Sequence, residues 1–200
     1  ALGTEISPRH VLFLNPDTRV LNDALGALVR FLDSTPSAGA AGARLLHGDG
    51  SFQHSAFAFP GLAQISIDFF PIHHRLLDSK LNGRYPRRLY EGGTPFEIDH
   101  PLGAAMMLRR EVILEAGLFD EGYRMYVEEI DWCMRIRQAG WSIYCVPSAA
   151  VVHYAGQSTS QVRNEMFVAL WQSRFRLFGK HYSGAFRWAA IVQRHADQRG

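Results

Sequence analysis

One carboxylate, that of Glu129, has an unusual place on a predicted helix. The spacing of apolar residues predicts a helix over residues 127–139, and Glu129 projects from the middle of its apolar arc, near the helix start. Burial there would raise the pKa of this carboxyl group, while the positive end of the helix would oppose the shift. Such a carboxylate either takes a proton from a hydroxyl group or forms a buried salt bridge, for example with an arginine of residues 84–88.

The remaining charged residues of this helix have a simpler interpretation. Glu128, Asp131 and Arg135 fall on the opposite, polar side, where Asp131 and Arg135 are spaced i,i+4 as in surface ion pairs. We therefore expect that side to be solvated. Trp132 lies on the apolar arc, where it either packs in the core or borders a binding site together with the loop "FDEGYRMY".

Two further residues are candidates for holding a metal ion. Asp17 follows the short apolar strand "VLFL" and Pro16, and His153 ends another short apolar segment. Ligands of open α/β sheets bind where strands end. One carboxylate and one imidazole can hold a divalent cation when a phosphate group supplies more oxygens. For each residue alone, the ordinary alternatives are turn chemistry for Asp17 and a structural role for His153.

Apolar periodicity predicts the elements that must position these side chains. A strand at residues 10–15, a helix at 21–33 capped by Asn22 and a strand at 38–46 indicate a βαβ unit with a parallel sheet. Further elements follow later in the chain: a strand at 103–110, a short helix stopped by Gly117, short strands at 141–147 and 150–156, and an amphipathic helix from 160 to 182.

The segment from residue 49 to residue 101 shows little periodicity. It contains five prolines and the basic patch "RYPRR" at 84–88. Long irregular segments of this kind are often binding loops, and a disordered insertion is the alternative. We expect disorder within residues 70–96.

Composition restricts the class of protein. The 200 residues are 47% hydrophobic with a net charge of +2, which predicts one globular domain and gives no reason to expect nucleic acid as a partner. Apolar runs are too short to span a membrane. Two cysteines are too few for a disulfide framework, so we expect a cytoplasmic protein.

Three motifs occur in an order that suggests a family. "FLNPDT", then "GAAMMLRREVILEAGLFDEGYRMYVEEIDWCMRIRQAGW", then "VPSAAVVHYAGQS" resemble the inverting glycosyltransferases of family 2, over roughly residues 9–180. Within that family, the sequence is most similar to the bacterial rhamnosyltransferase-like branch. The resemblance implies an α/β fold of the GT-A type: a mixed, mainly parallel sheet flanked by helices.

The resemblance also implies roles for individual residues. "NPD" is similar to the family's DxD-type element, so Asp17 would bind Mg²⁺ or Mn²⁺ on the donor diphosphate, with His153 completing the metal site. "EE" is similar to the family's ED pair, whose second member, Glu129, would be the catalytic base. Glutamate there is one methylene longer than the family's usual aspartate, and Asn15 replaces the first aspartate of DxD. The residues expected to contact donor or acceptor are Asn15, Gly103, Ala104, Glu128 and Trp132.

Function and organisation follow from the same resemblance. The expected reaction moves a sugar, rhamnose among the candidates, from a nucleotide-diphosphate donor to a saccharide or lipid-linked acceptor in cell-surface polysaccharide synthesis. We expect residues 1–158 to bind metal and acceptor and residues 159–200 to form an amphipathic helical segment. Its basic, aromatic helix at 161–182 is expected to lie on the inner face of the membrane near a lipid-linked acceptor or, alternatively, to pack back on the domain.

The sequence also resembles only the later part of such a domain. The family's nucleotide-binding strands precede the DxD strand, and "ALGTEISPRH" matches the end of that region. We therefore expect this fragment alone to be inactive and to self-associate through an unpaired strand edge. The alternatives are a non-catalytic glycan- or nucleotide-binding module that kept the fold and, more distantly, a metal-dependent phosphotransferase. In either alternative, Glu129 would not act as a catalytic base.

Overall fold

The structure is a computed structural model that describes residues 7–61, 64–65, 67, 79–123, 126–154 and 163–184. Its strands are β1 (His10–Leu14), β2 (Thr18–Val20), β3 (Ala38–Leu46), β4 (Phe52–Gln53), β5 (Ala56–Phe57), β6 (Phe96–Ile98), β7 (His100–Pro101), β8 (Ala105–Arg109) and β9 (Ser142–His153). Its labelled helices are α1 (Ala24–Ser34), α2 (Arg87–Glu91), α3 (Arg110–Ala116), α4 (Glu128–Gln138) and α5 (Arg163–His181).

A seven-stranded sheet positions the candidate residues. Its central order is β1-β8-β3-β9-β2, with β4 paired to β3 and β6 paired to β9. Since β8 runs antiparallel to both β1 and β3, and β3 runs parallel to β9, the strands β1, β3 and β9 all end at one edge. Asn15, His47 and Tyr154 directly follow those three ends. Asp17, in the turn after β1, and His153, the last residue of β9, therefore meet at this edge.

The centre of the sheet is packed closely because β3 is made mainly of alanine and glycine. Ala40, Ala41 and Ala43 are buried, and the helices α1 and α4 cover opposite faces of the sheet through separate hydrophobic clusters. A Cβ atom on Gly42 would lie 2.5 Å from the Cβ of Pro101, closer than carbon atoms can approach. Glycine at position 42 is therefore required for β7 to lie against β3.

The α/β class and the mixed sheet are confirmed, with two corrections. Within the described residues only β3 and β9 pair in parallel; the other pairings of the sheet are antiparallel, because β8 returns between β1 and β3. The segments 141–147 and 150–156 were predicted as two strands, but β9 is continuous through Pro147. Its register against β3 shifts between Val146 and Ala150, so a bulge accommodates the proline.

Two other predictions differ in detail. Helix α1 begins at Ala24 after Asp23, and Asn22 instead has a φ of 45° outside the helix, so it does not cap the helix start. Residues 79–96, expected to be disordered, contain a turn of 3₁₀ helix, α2 and the start of β6; residues 70–78 lie outside the described part. Tyr90 explains this order, because its ring is buried and its hydroxyl accepts a hydrogen bond from the amide of Ala56 at 2.8 Å.

The C-terminal helix α5 packs against α4 through a buried charge. Asp131 is completely buried, and its carboxylate lies 2.8 Å from Lys180 Nζ and 2.7 Å from His181 Nε2, both on α5. On its other side it lies 2.9 Å from Arg135 Nε and accepts a hydrogen bond from the hydroxyl of Tyr123 at 3.2 Å. Burial alone would raise the pKa of Asp131, but these hydrogen bonds outweigh it and hold the pKa below its ordinary value. The expectation that this side of α4 is solvated is therefore wrong, because α5 covers it.

Two basic side chains of α5 form further ion pairs with the domain. Arg176 and Lys180 also pair with Asp120, at 2.9 and 3.0 Å, while Leu177 and Phe178 are buried. This arrangement agrees with the alternative in which the helix packs on the domain.

The domain boundary at residue 158/159 stays a prediction. Among the described helices none combines the length and the apolar character needed to cross a membrane. Cys133 and Cys145 are both buried free thiols.

Asp131→Asn is expected to lower the free energy of unfolding by about 2 kcal/mol at pH 7, because the substitution removes the charge that Lys180, Arg135 and the imidazole of His181 contact. Asp23→Asn is the matched control: its ion pair with Arg30 has side chains about 70% exposed, so we expect a loss below about 1 kcal/mol. Urea unfolding measures both. Since the pKa of Asp131 is lowered in the folded state, its contribution to the free energy of unfolding is lost as the pH falls through that pKa. The free energies of unfolding of Asp131→Asn and the wild type should therefore become similar in acid. Equal losses in the two variants at pH 7 would contradict this assignment.

Candidate active site

A tight turn after β1 places Asp17 beside His153. The hydroxyl of Thr18 donates to the carbonyl of Asn15 at 2.6 Å, and the amide of Tyr154 donates to the carbonyl of Asp17 at 2.9 Å. Thr18 is also paired with His153 in the β2–β9 register. Pro16 has no N–H that would need a partner in this turn. The backbone therefore fixes the two candidate metal ligands against each other.

The two side chains fit a shared cation. Asp17 Oδ1 lies 3.5 Å from His153 Nε2, which is too long for an ordinary hydrogen bond, and Nδ1 of the buried His153 has no hydrogen-bond partner. In the part of the chain that the structure describes, no group of three or more His, Cys, Asp or Glu residues could hold a metal. One carboxylate and one imidazole leave coordination positions open for phosphate oxygens. This donor set suits Mg²⁺ or Mn²⁺ only when a diphosphate shares the ion.

Four of the predicted residues line one cleft of about 420 Å³. They are Asn15 from the turn after β1, Gly103 from the turn before β8, and Glu128 and Glu129 from the first turn of α4. A Cβ atom added to Gly103 would lie 3.5 Å from Cγ of Glu129 and 3.7 Å from its carboxyl carbon, so Gly103 lies directly against this carboxylate. We name this cavity the acidic cleft.

The carboxyl group of Glu129 is tuned toward neutral pH. Burial shields this carboxyl group from water, which disfavours its charged form, and the nearby charge of Glu128 acts in the same direction. Together they raise the pKa of Glu129 from 4.5 to about 7. Backbone N–H groups at the start of α4 oppose this rise without cancelling it. A base with a pKa near the working pH is well matched to proton transfer. Glu128 supplies a second feature, since its Oε2 atom is buried and has no hydrogen bond.

The backbone just before α4 is strained. Tyr126 and Val127 have φ values of 64° and 73°, in the left-handed region that β-branched residues such as valine rarely adopt. Val127 is the residue that precedes the helix, and its side chain is buried against the cluster that includes Leu177. Each such residue costs about 1–3 kcal/mol. Packing by α5 thus holds the turn that aims Glu128 and Glu129 into the acidic cleft.

Two predicted contact residues lie behind the cleft surface. Trp132 is fully buried, its indole N–H donates to the carbonyl of Gly117 at 2.7 Å, and its ring packs edge-on against Phe13 at 4.8 Å. This is the core role that the sequence left open. Ala104 is also buried, and its carbonyl accepts the amide of Asn15 at 3.0 Å. Both residues support the cleft from beneath.

The salt-bridge alternative for Glu129 finds no support in the described residues. No cation pairs with Glu129 there. The arginines of the basic patch lie elsewhere: Arg87 pairs with Glu91 at 2.8 Å, and Arg84 and Arg87 line a different cleft. The pKa of Glu129 is therefore raised, first by burial and then by the neighbouring carboxylate of Glu128, with no paired cation in the described residues to lower it.

The loop between α3 and α4 completes the acidic cleft. Phe119, Asp120, Glu121 and Tyr123 of this loop line it, in the stretch that the sequence analysis singled out only as a whole. Hydrogen bonds from Lys180 and the amide of Gly122 hold the pKa of Asp120 well below its ordinary value. The sequence does contain a signal for this loop, a run of acidic and aromatic residues between two predicted helices, but it does not identify which of them face a ligand.

Comparison with known proteins identifies the wider family. The family model described as "Glycosyltransferase like family 2" matches residues 3–169. The N-acetylglucosaminyl-diphospho-decaprenol L-rhamnosyltransferase of Mycobacterium tuberculosis is 28% identical over 88% of this chain, which corresponds to 57% of that protein. Rhamnosyltransferase WbbL of Escherichia coli K12 is 26% identical over 86% of this chain and 62% of that protein. The chain thus spans little more than half the length of these curated relatives.

A solved structure supports the fold independently. A crystal structure of GalNAc-T7 with UDP, GalNAc and Mn²⁺ matches 86% of this chain and 31% of that chain, with a TM-score of 0.52 and 15% identity. At that identity the likeness concerns the fold alone. It agrees with the GT-A architecture that the family resemblance implies.

Proposed function

The chain belongs to the family 2-like glycosyltransferases, and we propose on this basis that it carries the catalytic base of an inverting sugar transfer. The donor in this proposal is a nucleotide-diphosphate sugar, and the acceptor is a hydroxyl group of a saccharide or lipid-linked saccharide. The observation that carries it is the position of Glu129, in a cleft, against Gly103, with its pKa raised to about 7.

The relatives favour a narrower donor and acceptor. Their names specify rhamnosyl transfer, in one case to a diphospho-decaprenol that bears N-acetylglucosamine. A further relative, 24% identical, is described as the dTDP-rhamnosyl transferase RfbF of Shigella flexneri. We therefore propose rhamnose as the first sugar to test and a lipid-linked acceptor in cell-surface polysaccharide synthesis. A lipid-linked acceptor would bring the protein to the inner face of the cytoplasmic membrane.

The proposed step needs one proton acceptor and one leaving group. The acceptor hydroxyl gives its proton to the Glu129 carboxylate, its oxygen forms a bond to the anomeric carbon, and the bond from that carbon to the diphosphate oxygen breaks. Attack from the face opposite the diphosphate inverts the anomeric configuration. Asp17 and His153 would hold a divalent cation, which would supply positive charge beside the departing diphosphate. The uncharged acceptor hydroxyl suits the acidic cleft, whose lining includes four carboxyl groups.

A transfer assay tests the proposed function. The full-length protein is incubated with Mn²⁺, a panel of nucleotide sugars that includes dTDP-rhamnose, and lipid-diphosphate N-acetylglucosamine. We expect a glycoside whose anomeric configuration, read by NMR, is opposite to that of the donor. Retention of configuration would contradict Glu129 as a base in a single displacement. Binding of donor with no product from any acceptor would favour the non-catalytic module instead.

A further inference from the structure

A second cleft, of about 680 Å³, opens beside the acidic cleft. It lies between the end of β3, from which His47 follows, and Leu102, the residue just before Gly103. Consecutive Cα atoms are about 3.8 Å apart, so Leu102 and Gly103 connect the two clefts over a very short distance. The linings of the two clefts therefore meet along one stretch of backbone, at Leu102 and Gly103.

The charge of the second cleft is opposite to that of the acidic cleft. Arg84 and Arg87 line it, and none of its described lining residues is an aspartate or glutamate. The acidic cleft is lined by four carboxylates, those of Asp120, Glu121, Glu128 and Glu129. Two cavities that differ this sharply, side by side at one sheet edge, fit a ligand with a neutral end and an anionic end. We name the second cavity the basic cleft.

One arginine of the basic cleft is already oriented. The guanidinium of Arg87 lies 5.4 Å from the ring centre of Phe52, and its Nε donates to Glu91 at 2.8 Å. More than half of each side chain of this ion pair is exposed, so the pair is weak and an anion can compete for the guanidinium. A planar guanidinium held in this way binds phosphate oxygens in pairs.

The basic cleft also contains a polar group that needs a donor. The side-chain oxygen of Gln53 is buried and has no hydrogen-bond partner among the described residues. A buried acceptor without a partner costs free energy, which a ligand hydroxyl or N–H would recover. A sugar next to a phosphate supplies that donor.

We propose that the basic cleft binds the diphosphate of the lipid-linked acceptor, with the acceptor's first sugar lying over Leu102 and Gly103 toward Glu129. This inference rests on the proposed function and adds to it a separate site for the acceptor's anionic group. The donor diphosphate is an alternative source of the same chemistry. In the proposed function, the donor diphosphate is bound through a cation at Asp17 and His153. The described lining of the basic cleft has no carboxylate to hold a cation, so this cleft would bind a diphosphate directly through its arginines.

Binding of geranyl diphosphate tests this site without any transfer reaction. Titration calorimetry is run in EDTA, so that no cation can bridge the ligand to Asp17. We expect Arg84→Gln and Arg87→Gln each to weaken binding about tenfold or more, because each removes a charge-assisted contact. Arg88→Gln is the matched control: Arg88 is exposed on the same helix and does not line the cleft, so the affinity should change less than about twofold.

Further measurements separate the two sources of diphosphate. With Mn²⁺ present, dTDP binding should be unchanged in Arg84→Gln and weakened in Asp17→Ala. The inference is overturned if the wild type does not bind geranyl diphosphate, if geraniol binds equally well, or if the Arg88 variant loses as much affinity as the other two. It is also overturned if dTDP with Mn²⁺ displaces geranyl diphosphate. Failure of transfer by the wild type, with this binding pattern intact, would instead count against the proposed function alone.

Discussion

Replacing Glu129 by glutamine is expected to slow sugar transfer about 10²–10⁴-fold while leaving the affinity for the nucleotide donor nearly unchanged. Glutamine keeps the size of the side chain against Gly103 but cannot accept the proton of the acceptor hydroxyl, and loss of a general base typically has an effect of this size. Single-turnover rates and separate donor titrations measure the two quantities. Turnover close to that of the wild type would show that Glu129 is not the base.

The pH dependence provides a sharper check on the same residue. The base works only when it is deprotonated, so a pKa of about 7 means that the rate should rise with pH through about 7 and level off above it. Glu128→Gln is the diagnostic variant, because removing the neighbouring negative charge lowers the pKa of Glu129. The rising limb should therefore move to lower pH in that variant. A limb that stays in place would mean that another group titrates.

Asp17→Ala is expected to weaken Mn²⁺-dependent binding of a nucleoside diphosphate at least about tenfold. His153→Ala should have a smaller effect, because Asp17 brings negative charge to the cation and the imidazole does not. In EDTA, both variants should bind the nucleotide as weakly as the wild type does. Calorimetry with and without Mn²⁺ measures this difference.

The control for the metal prediction is Asp23→Ala, which removes an exposed carboxylate after β2 and outside the proposed site. Its Mn²⁺ dependence should equal that of the wild type. Unchanged Mn²⁺ dependence in Asp17→Ala and His153→Ala together would remove these residues from the metal site. The proposal for Glu129 would remain to be judged by its own kinetics.

Elements with a strong local pattern were predictable from the sequence. The strand at 38–46 and the helix at 127–139 occur as β3 and α4 within a residue of the predicted ends, because small apolar runs and helical spacing are local signals. The family resemblance implied a common site for Asn15, Gly103, Glu128 and Glu129, and these four line one cleft, while their roles stay predictions. The pairing directions in the sheet were not, because they depend on contacts distant in sequence.

The surroundings of Asp131 show where such reasoning stops. Helical spacing correctly placed Asp131 opposite Glu129, yet it does not reveal what covers that face. The partner is His181, fifty residues later, and its contact turns an apparent surface pair into a buried charge. The basic cleft was missed for a related reason: it forms from His47, Gln53 and Arg84, which belong to segments without periodicity.

The strained turn before α4 has a consequence for how this protein can be altered. Glycine adopts a φ of 73° without strain, so relieving the conformation of Val127 is an obvious route to a more heat-resistant protein. Glycine would also remove the buried isopropyl group that fixes the direction of Glu128 and Glu129. A screen for heat resistance and a screen for turnover should consequently favour different residues at position 127, which makes it a poor target for stabilisation when the activity has to be kept.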